Sequence, residues 1–301
     1  MKEFQLIKKF FKPLAENQKA ARGLEDDVAQ ISDLVISKDM FVEDVHFLRA
    51  DGGFKIASKL LRTNLSDLAS AGATPLYYML GFSKNKNTDE KFLRDFARGL
   101  KSVQSEFGLY LIGGDTVTSE KLFFSVTIFG KAKNGKVLSR NSAKNGDLIY
   151  VSGTIGDAFL GRTQKLSKYF LDRHFFPTPR IKLGEKLLTK NLAKCAIDVS
   201  DGLLADLQHL CEASNLSAEI NLEKIPFSKN SENPLELISA GDDYELIFST
   251  NPKNQKKISA LAKEIKLDLS CIGKFTEAKK HKISLYQKGK KIKITQLGYE
   301  H

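Results

Sequence analysis

Carboxylates carry most of the chemistry this chain can offer. Glu25-Asp26-Asp27, Asp39, Asp67, Asp115, the pair Asp198/Asp201 and a late Asp242-Asp243 punctuate an otherwise lysine-rich sequence. Almost every one stands beside Gly, Ser or Asn, where a strand is expected to end or a helix to begin. Carboxylates that converge from separate loops hold hard divalent cations, which prefer oxygen ligands. Such cations, kept by few protein oxygens and several waters, organise the phosphates of a nucleotide. There is no GxxxxGK[ST] loop, GxGxxG turn, HExxH helix or Cys/His zinc spacing. A nucleotide would therefore be held through metals and loops rather than a P-loop.

Each motif also has a plainer reading. In AIDVSDGLLAD a strand ends at Asp198, and Ser200 or Asp201 can cap a helix carrying Leu203, Leu204, Leu207 and Leu210. Asp198 and Asp201 then present oxygens on one side, beside the positive helix end. An N-cap role alone accounts for Asp201 but leaves Asp198 unexplained. In Gly113-Gly114-Asp115-Thr116 the glycines allow backbone to approach a ligand and the Asp can hold a metal, though an ordinary turn has the same composition. Asn64-Leu65-Ser66-Asp67 interrupts a helical apolar pattern with poor helix-interior residues. It marks a break, a functional face, or the N-cap of a new helix. Asp39 and His46 flank a short extended stretch, and a lone histidine is more often a surface or core residue. Asp26-Asp27 reads equally as solvated surface.

The elements that must position these groups alternate between strand and helix. Phe4, Ile7, Phe11 and Leu14 fall at helical spacing and predict an amphipathic helix docked on the protein, with a polar, mobile stretch at 15–25. Strands are expected at Leu34–Ser37 and around Val45–Leu48, a helix over 53–71 and a buried strand over 75–83. Phe92, Phe96, Leu100, Val103 and Phe107 give an amphipathic helix at 89–107. Strands at Leu109–Ile112 and Leu122–Gly130 follow, with the Gly-Gly-Asp-Thr turn between them. Asn134-Gly135 and the polar run 139–147 place a domain boundary at about 135–148. Beyond it come strands at Leu148–Ser152, Cys195–Val199 and Tyr244–Thr250, a helix at Gly202–Ala213, and a lysine-rich remainder read as helix followed by β structure.

Composition bounds the rest. With 301 residues and 42% hydrophobic content the chain can bury a large core in one or two domains. The class is α/β or α+β. No apolar run approaches the ~20 residues that span a bilayer, and the first 14 residues lack the apolar region of a signal peptide. The odd, scattered Cys195, Cys211 and Cys271 read as reduced thiols of a cytoplasmic protein. The net charge of +11 is spread over lysines that aromatic residues do not interleave, so it reads as a solvated surface able to gather anionic substrates, not as a nucleic-acid site.

Ten strings then occur in order: EDDVA, SKDMFVEDVHF, NLSDLASAGATP, LIGGDT, LSRNSAKNGDLIYVSGTIGDA, RHFFPTPR, AIDVSDGLLADL, AGDDYELIF, CIGKF and a closing GYEH. Together they resemble the thiamine-monophosphate kinases, of the ATP-binding superfamily that includes aminoimidazole ribonucleotide synthetase and selenophosphate synthetase. The resemblance covers nearly the whole chain. It implies two α/β domains, 1–138 with a mixed sheet and 145–301. It also implies a homodimer formed through the N-terminal sheet, without nucleic-acid or membrane partners. The implied reaction is Mg²⁺-dependent, in-line transfer of the ATP γ-phosphoryl group to thiamine monophosphate. Carried over by position, Asp27, Ser37, Lys38, Asp39, Asp67, Asp115, Asp198 and Asp201 would hold several Mg²⁺ ions. Gly114, Asp115, Arg140 and Ser200 would contact ATP, and His46, Asp242 and Tyr299 would line the thiamine phosphate site.

The resemblance fits the chemistry of the carboxylates, because phosphoryl transfer needs positioning and charge neutralisation and little covalent work. A phosphate acceptor is already an anionic nucleophile, so no general base is assigned. The chain departs from the family pattern at three places. Glu25 replaces a Gly before Asp26-Asp27, Asp242 replaces a longer Glu, and Lys38 stands where a hydroxyl residue is usual. A lysine ammonium cannot ligate Mg²⁺, which leaves that position its backbone carbonyl. Competing readings are a sister enzyme using the same ATP machinery on another acceptor, a basic nucleic-acid-binding protein, and a non-catalytic Mg–nucleotide sensor. Selenophosphate synthetase lacks support because no Gly-rich segment with a reactive Cys precedes Asp26. A hydrogenase-maturation enzyme lacks it because the chain ends in Tyr299-Glu300-His301 rather than Cys.

Overall fold

The computed structural model describes residues 3–163, 167–228 and 233–299. Two mixed sheets organise the chain. The first carries β1 (Ala29–Ile31), β2 (Leu34–Val42), β3 (Thr74–Lys84), β4 (Tyr110–Thr118) and β5 (Phe123–Lys131), in the order β1-β2-β5-β3-β4. Only β3 and β4 run parallel; the other pairs are antiparallel. The second sheet contains β6 (Leu148–Ser152), β7 (Cys195–Asp198), β8 (Leu216–Asn221), β9 (Leu246–Thr250), β10 (Leu269–Glu277), β11 (Ile283–Gln287) and β12 (Lys290–Ile292). Its order is β12-β11-β8-β10-β6-β9-β7.

After a short α1 (Glu3–Leu6), the helices are α2 (Gly53–Ala71), α3 (Glu90–Phe107), α4 (Asp157–Thr163), α5 (Lys168–Phe175), α6 (Ile181–Thr189), α7 (Leu203–Ala213), α8 (Pro234–Leu237) and α9 (Gln255–Ile265). The central element is α2. Its apolar side, with Ile56, Leu60, Leu61, Leu65 and Leu68 at most 2% exposed, packs on the first sheet and α3. Its polar side is buried as well, against α6 and β7 of the second half. That double burial explains why Lys59, Asn64 and Ser66 are inside the protein.

Several expectations change. The chain does not break at Asn64–Asp67; α2 runs through it, and the polar residues form a functional face, one of the three readings left open. Gly113–Thr116 is no turn but the interior of β4, and β2 continues past Ser37 to Val42. Both segments alternate or lack apolar side chains, so their strand character comes from pairing with neighbours rather than from pattern. Val45–Leu48 forms a turn in place of a strand, with Asp44 at φ 67°. The N-terminal segment is not a docked helix. A single α-turn passes into π- and 3₁₀-type turns, with Phe10, Phe11 and Leu14 exposed; Met1 and Lys2 lie outside the described residues, as do Glu300 and His301 of the closing motif. Helices α4 to α6 and strand β8 occupy stretches for which the apolar pattern gave no element.

Candidate active site

Three elements meet where β2, α2 and the end of β7 approach. Asp27 precedes β1, Asp67 sits on the polar face of α2, and Asp198 closes β7. One oxygen from each lies within 4.8 Å of the others. The trio is tightly supported. Ser37 Oγ donates to Asp67 Oδ2 at 2.5 Å, and Ser70 Oγ donates to Asp27 Oδ2 at 2.7 Å. Arg140 donates from its guanidinium to Asp27 Oδ1. Arg22 and Ser139 hold the neighbouring Asp26, fixing the approach of Asp27 without the family's glycine.

Burial pushes Asp198, Asp67 and Asp39 toward their protonated forms. The Asp198 carboxyl is raised to about 8, by desolvation first and the charge of Asp27 second. Asp67 rises well above the usual range through desolvation and the charges of Asp39, Asp198 and Asp27. Asp39, on β2, is raised to about 6 by burial, with Asp27 and Asp201 adding repulsion. Burial opposes the charge of Arg140, but Asp27 outweighs it and holds the guanidinium firmly protonated. Crowded acids with one guanidinium between them have an excess of buried negative charge. That donor set fits hard divalent cations, which accept carboxylate and hydroxyl oxygens.

The remaining sequence candidates divide between this centre and its surroundings. Asp39 faces the trio, and its backbone N–H donates to Asn64 Oδ1 at 3.2 Å. Lys38 points to the opposite face of the sheet, where its Nζ donates to Ser125 Oγ at 2.5 Å, as strand alternation requires. Asp115 stays outside the trio, exposed on β4, where Oδ1 accepts the Thr116 N–H at 2.8 Å. Gly114 owes its missing side chain to the neighbouring strand, because a Cβ there would collide with the Leu80 carbonyl of β3. The expected cap by Ser200 or Asp201 does not form. Gly202 takes the N-cap position, and the buried Asp206, which sequence reasoning passed over, bonds to the whole preceding loop.

A second cluster lies along α2. Asp242 Oδ2 accepts from Lys59 Nζ at 2.5 Å and from His174 Nδ1 at 2.9 Å. Burial pushes Asp242 up, but the Lys59 ammonium and His174 outweigh it and hold this carboxyl below the usual range. Lys59 and His174 line a pocket with Phe41, His46, Lys55 and Phe175. His46 stacks on Phe41 at 5.4 Å and accepts the Val42 N–H on Nδ1, and Lys55 Nζ sits 4.4 Å over the Phe175 ring. Residues 59, 63 and 67 share one helical face, so pocket and carboxylate trio stand about 12 Å apart along α2 at ~1.5 Å per residue. Sequence reasoning missed Lys59 and His174. A lysine inside an apolar helix pattern was the available signal for the first. The fully buried Glu245 binds Ser152, Arg173 and Arg180, and so fixes α5, which carries His174 and Phe175, and the start of α6 on the second sheet. Tyr299 is exposed, with its N–H on the Asp201 carbonyl at 2.8 Å.

Comparison with known proteins places this geometry. Residues 25–132 match the family described as AIR synthase related protein, N-terminal domain, and residues 144–285 match its C-terminal domain. A thiamine-monophosphate kinase of Buchnera aphidicola subsp. Schizaphis graminum is 36% identical, over 99% of this chain and 98% of the relative. The crystal structure of thiamine-monophosphate kinase from Stenotrophomonas maltophilia aligns at 32% identity with a TM-score of 0.78, covering 96% of this chain and 98% of that one. AaThiL complexed with AMPPCP and TMP aligns with a TM-score of 0.85 and 27% identity, covering 100% and 97%.

Proposed function

The chain belongs to the AIR synthase related family and, within it, to the thiamine-monophosphate kinases, and from that membership we propose how its own residues transfer a phosphoryl group from ATP to thiamine monophosphate. The observation that carries the reading is the convergence of Asp27, Asp67 and Asp198, from three separated segments, beside Arg140. Two polyanions must be brought together in line, and an excess of buried carboxylate serves that purpose only with bound cations.

Asp27, Asp67 and Asp198 would hold Mg²⁺, with Asp39, Ser37 and Asp201 beside them. Bound Mg²⁺ would neutralise the phosphates and the charge that develops on the transferred group. Arg140, Ser200 and the Gly114-Asp115 segment take the nucleotide. Arg140 supplies a fixed planar donor set suited to phosphate oxygens. The organic half of the acceptor docks on the face that carries His46, Lys59 and Asp242, with Tyr299 as a further contact. This docking face stands about 12 Å from the trio, which leaves the acceptor's phosphate to reach the carboxylates. Asp242 is one methylene shorter than the family's Glu, and Lys59 and His174 hold it in place. Transfer is direct, with the acceptor phosphate as nucleophile and no phospho-enzyme.

Strand β4 is the open edge of the first sheet and exposes Tyr110, Leu111, Ile112 and Val117; Tyr77 and Met79 of β3 are exposed beside it. An apolar sheet edge of this kind pairs with another chain, and a second copy of this one supports the homodimer. We place the domain division at 1–138 and 145–301, where the chain leaves the first sheet for the second. Among the described residues no helix is long and apolar enough to cross a membrane. The three free thiols accord with the reducing cytoplasm. ADP release that requires thiamine monophosphate tests the reaction; equal release with water alone as acceptor would contradict it.

A further inference from the structure

Asp206 sits in the first turn of α7 and is 2% exposed. An acid there is ordinarily a helix-end residue favoured by the dipole. Its bonds reach further than that. Oδ2 accepts three successive backbone N–H groups, from Ser200 at 3.1 Å, Asp201 at 3.2 Å and Gly202 at 3.1 Å. Consecutive amides of this kind form a concavity that binds anions. Here the chain's own carboxylate fills it, so these amides are closed to a phosphate.

The same loop is held from its other side by carbonyls. Ser200 O accepts the Asp242 N–H at 2.7 Å, Asp201 O accepts the Tyr299 N–H at 2.8 Å, and Val199 O accepts the Tyr244 N–H at 2.8 Å. Contact is close enough to demand glycine opposite it: a Cβ at Gly298 would lie 2.5 Å from Asp201 O, and one at Gly241 would strike Ser200 O. One four-residue loop thus carries side chains toward metal and nucleotide and suspends the acceptor-lining residues from its carbonyls.

We propose that Asp206 is a positioning residue for phosphoryl transfer, fixing the 199–202 loop so that Ser200 and Asp201 face nucleotide and cation while Asp242 and Tyr299 stay registered to the acceptor. This rests on the kinase reading for its kinetic consequence and on geometry alone for its effect on cation binding. The test is Asp206→Ala in the full chain, which removes the acceptor, read by calorimetric titration of Mn²⁺ and by separate KM values for ATP and thiamine monophosphate. Losing the acceptor of three backbone N–H bonds should weaken Mn²⁺ binding roughly tenfold or more and raise both KM values together. A folded variant with Mn²⁺ affinity and both KM values within about twofold of the parent overturns the proposal, whatever its melting temperature. Should that variant fail to fold, Gly298→Ala presses on Asp201 O and on Ala205 Cβ of α7, displacing the loop from the acceptor side with the Asp206 side chain intact. Weaker Mn²⁺ binding there supports the loop's role, and unchanged binding overturns it. A parent that binds Mn²⁺ but never phosphorylates thiamine monophosphate contradicts the kinase reading, and the Mn²⁺ titrations still decide the role of Asp206.

Discussion

Replacing Asp67 by Asn separates the site's function from its contribution to stability. Oxygens of Asp27, Asp67 and Asp198 lie within 4.8 Å of one another. Two unit charges at that distance repel by about 3.5 kcal/mol at an effective dielectric near 20. Asn removes two of the three pairs, about 7 kcal/mol or more were all three groups fully charged. Retained protons reduce this, because burial and neighbouring charge already raise Asp198 to about 8. A realised gain of about 1–3 kcal/mol follows at pH 8, or roughly 2–6 °C in Tm for a chain of this size. The Ser37 bond survives, since the Asn carbonyl also accepts. With chelator present, Asp67→Asn should therefore melt higher than the parent, while Mg²⁺-dependent turnover falls about a thousandfold through loss of several kcal/mol of cation binding. Scanning calorimetry in chelator and a steady-state ADP assay on one preparation measure both. A variant that melts lower, or that turns over near normally, would refute the placement of charge.

Other consequences are as direct. Asp39 and Asp198 have folded-state pKa values raised to about 6 and about 8, so their contribution to stability is complete below the usual carboxylate range and is lost as pH rises through those values. Protein in chelator should lose Tm between about pH 4 and about pH 8, and excess Mg²⁺ should remove the loss; a flat profile in chelator would contradict the crowding. Asp242→Ala should raise the KM for thiamine monophosphate roughly tenfold and that for ATP by less than about twofold, and should lower Tm by stranding the buried Lys59 ammonium. Equal effects on both KM values would count against the acceptor role. Ile112→Lys on the open edge of β4 should turn a dimer into a folded monomer by light scattering; a dimer that persists would move the interface elsewhere.

The residues of the trio were legible from ten motif strings in order, since taken singly Asp26-Asp27 read equally as solvated surface and Asp67 as part of an N-cap. The helix at 89–107 was legible from its phenylalanine spacing, and α3 occupies Glu90–Phe107. The failures share a cause. Gly113–Thr116 read as a turn because its glycines lack pattern, yet β3 pairs with it along the length of β4. Asn64–Asp67 read as a candidate break because helix propensity is local, while burial against the second half favours a polar face there. Asp206, Lys59 and His174 were invisible for a related reason. Asp242, the partner of Lys59 and His174, lies 183 and 68 positions from them, so no window of sequence contains both. Asp206 sits within the AIDVSDGLLAD string, and its bonds to amides four to six residues earlier leave no mark in composition.

The most direct test is ³¹P NMR of the purified protein with ATP, thiamine monophosphate and Mg²⁺. Appearance of the two coupled resonances of thiamine diphosphate, with loss of the monophosphate signal and stoichiometric ADP, is the expected result, and chelator should abolish it. ATP hydrolysis to ADP and inorganic phosphate, with the thiamine monophosphate resonance unchanged, would contradict the assigned reaction.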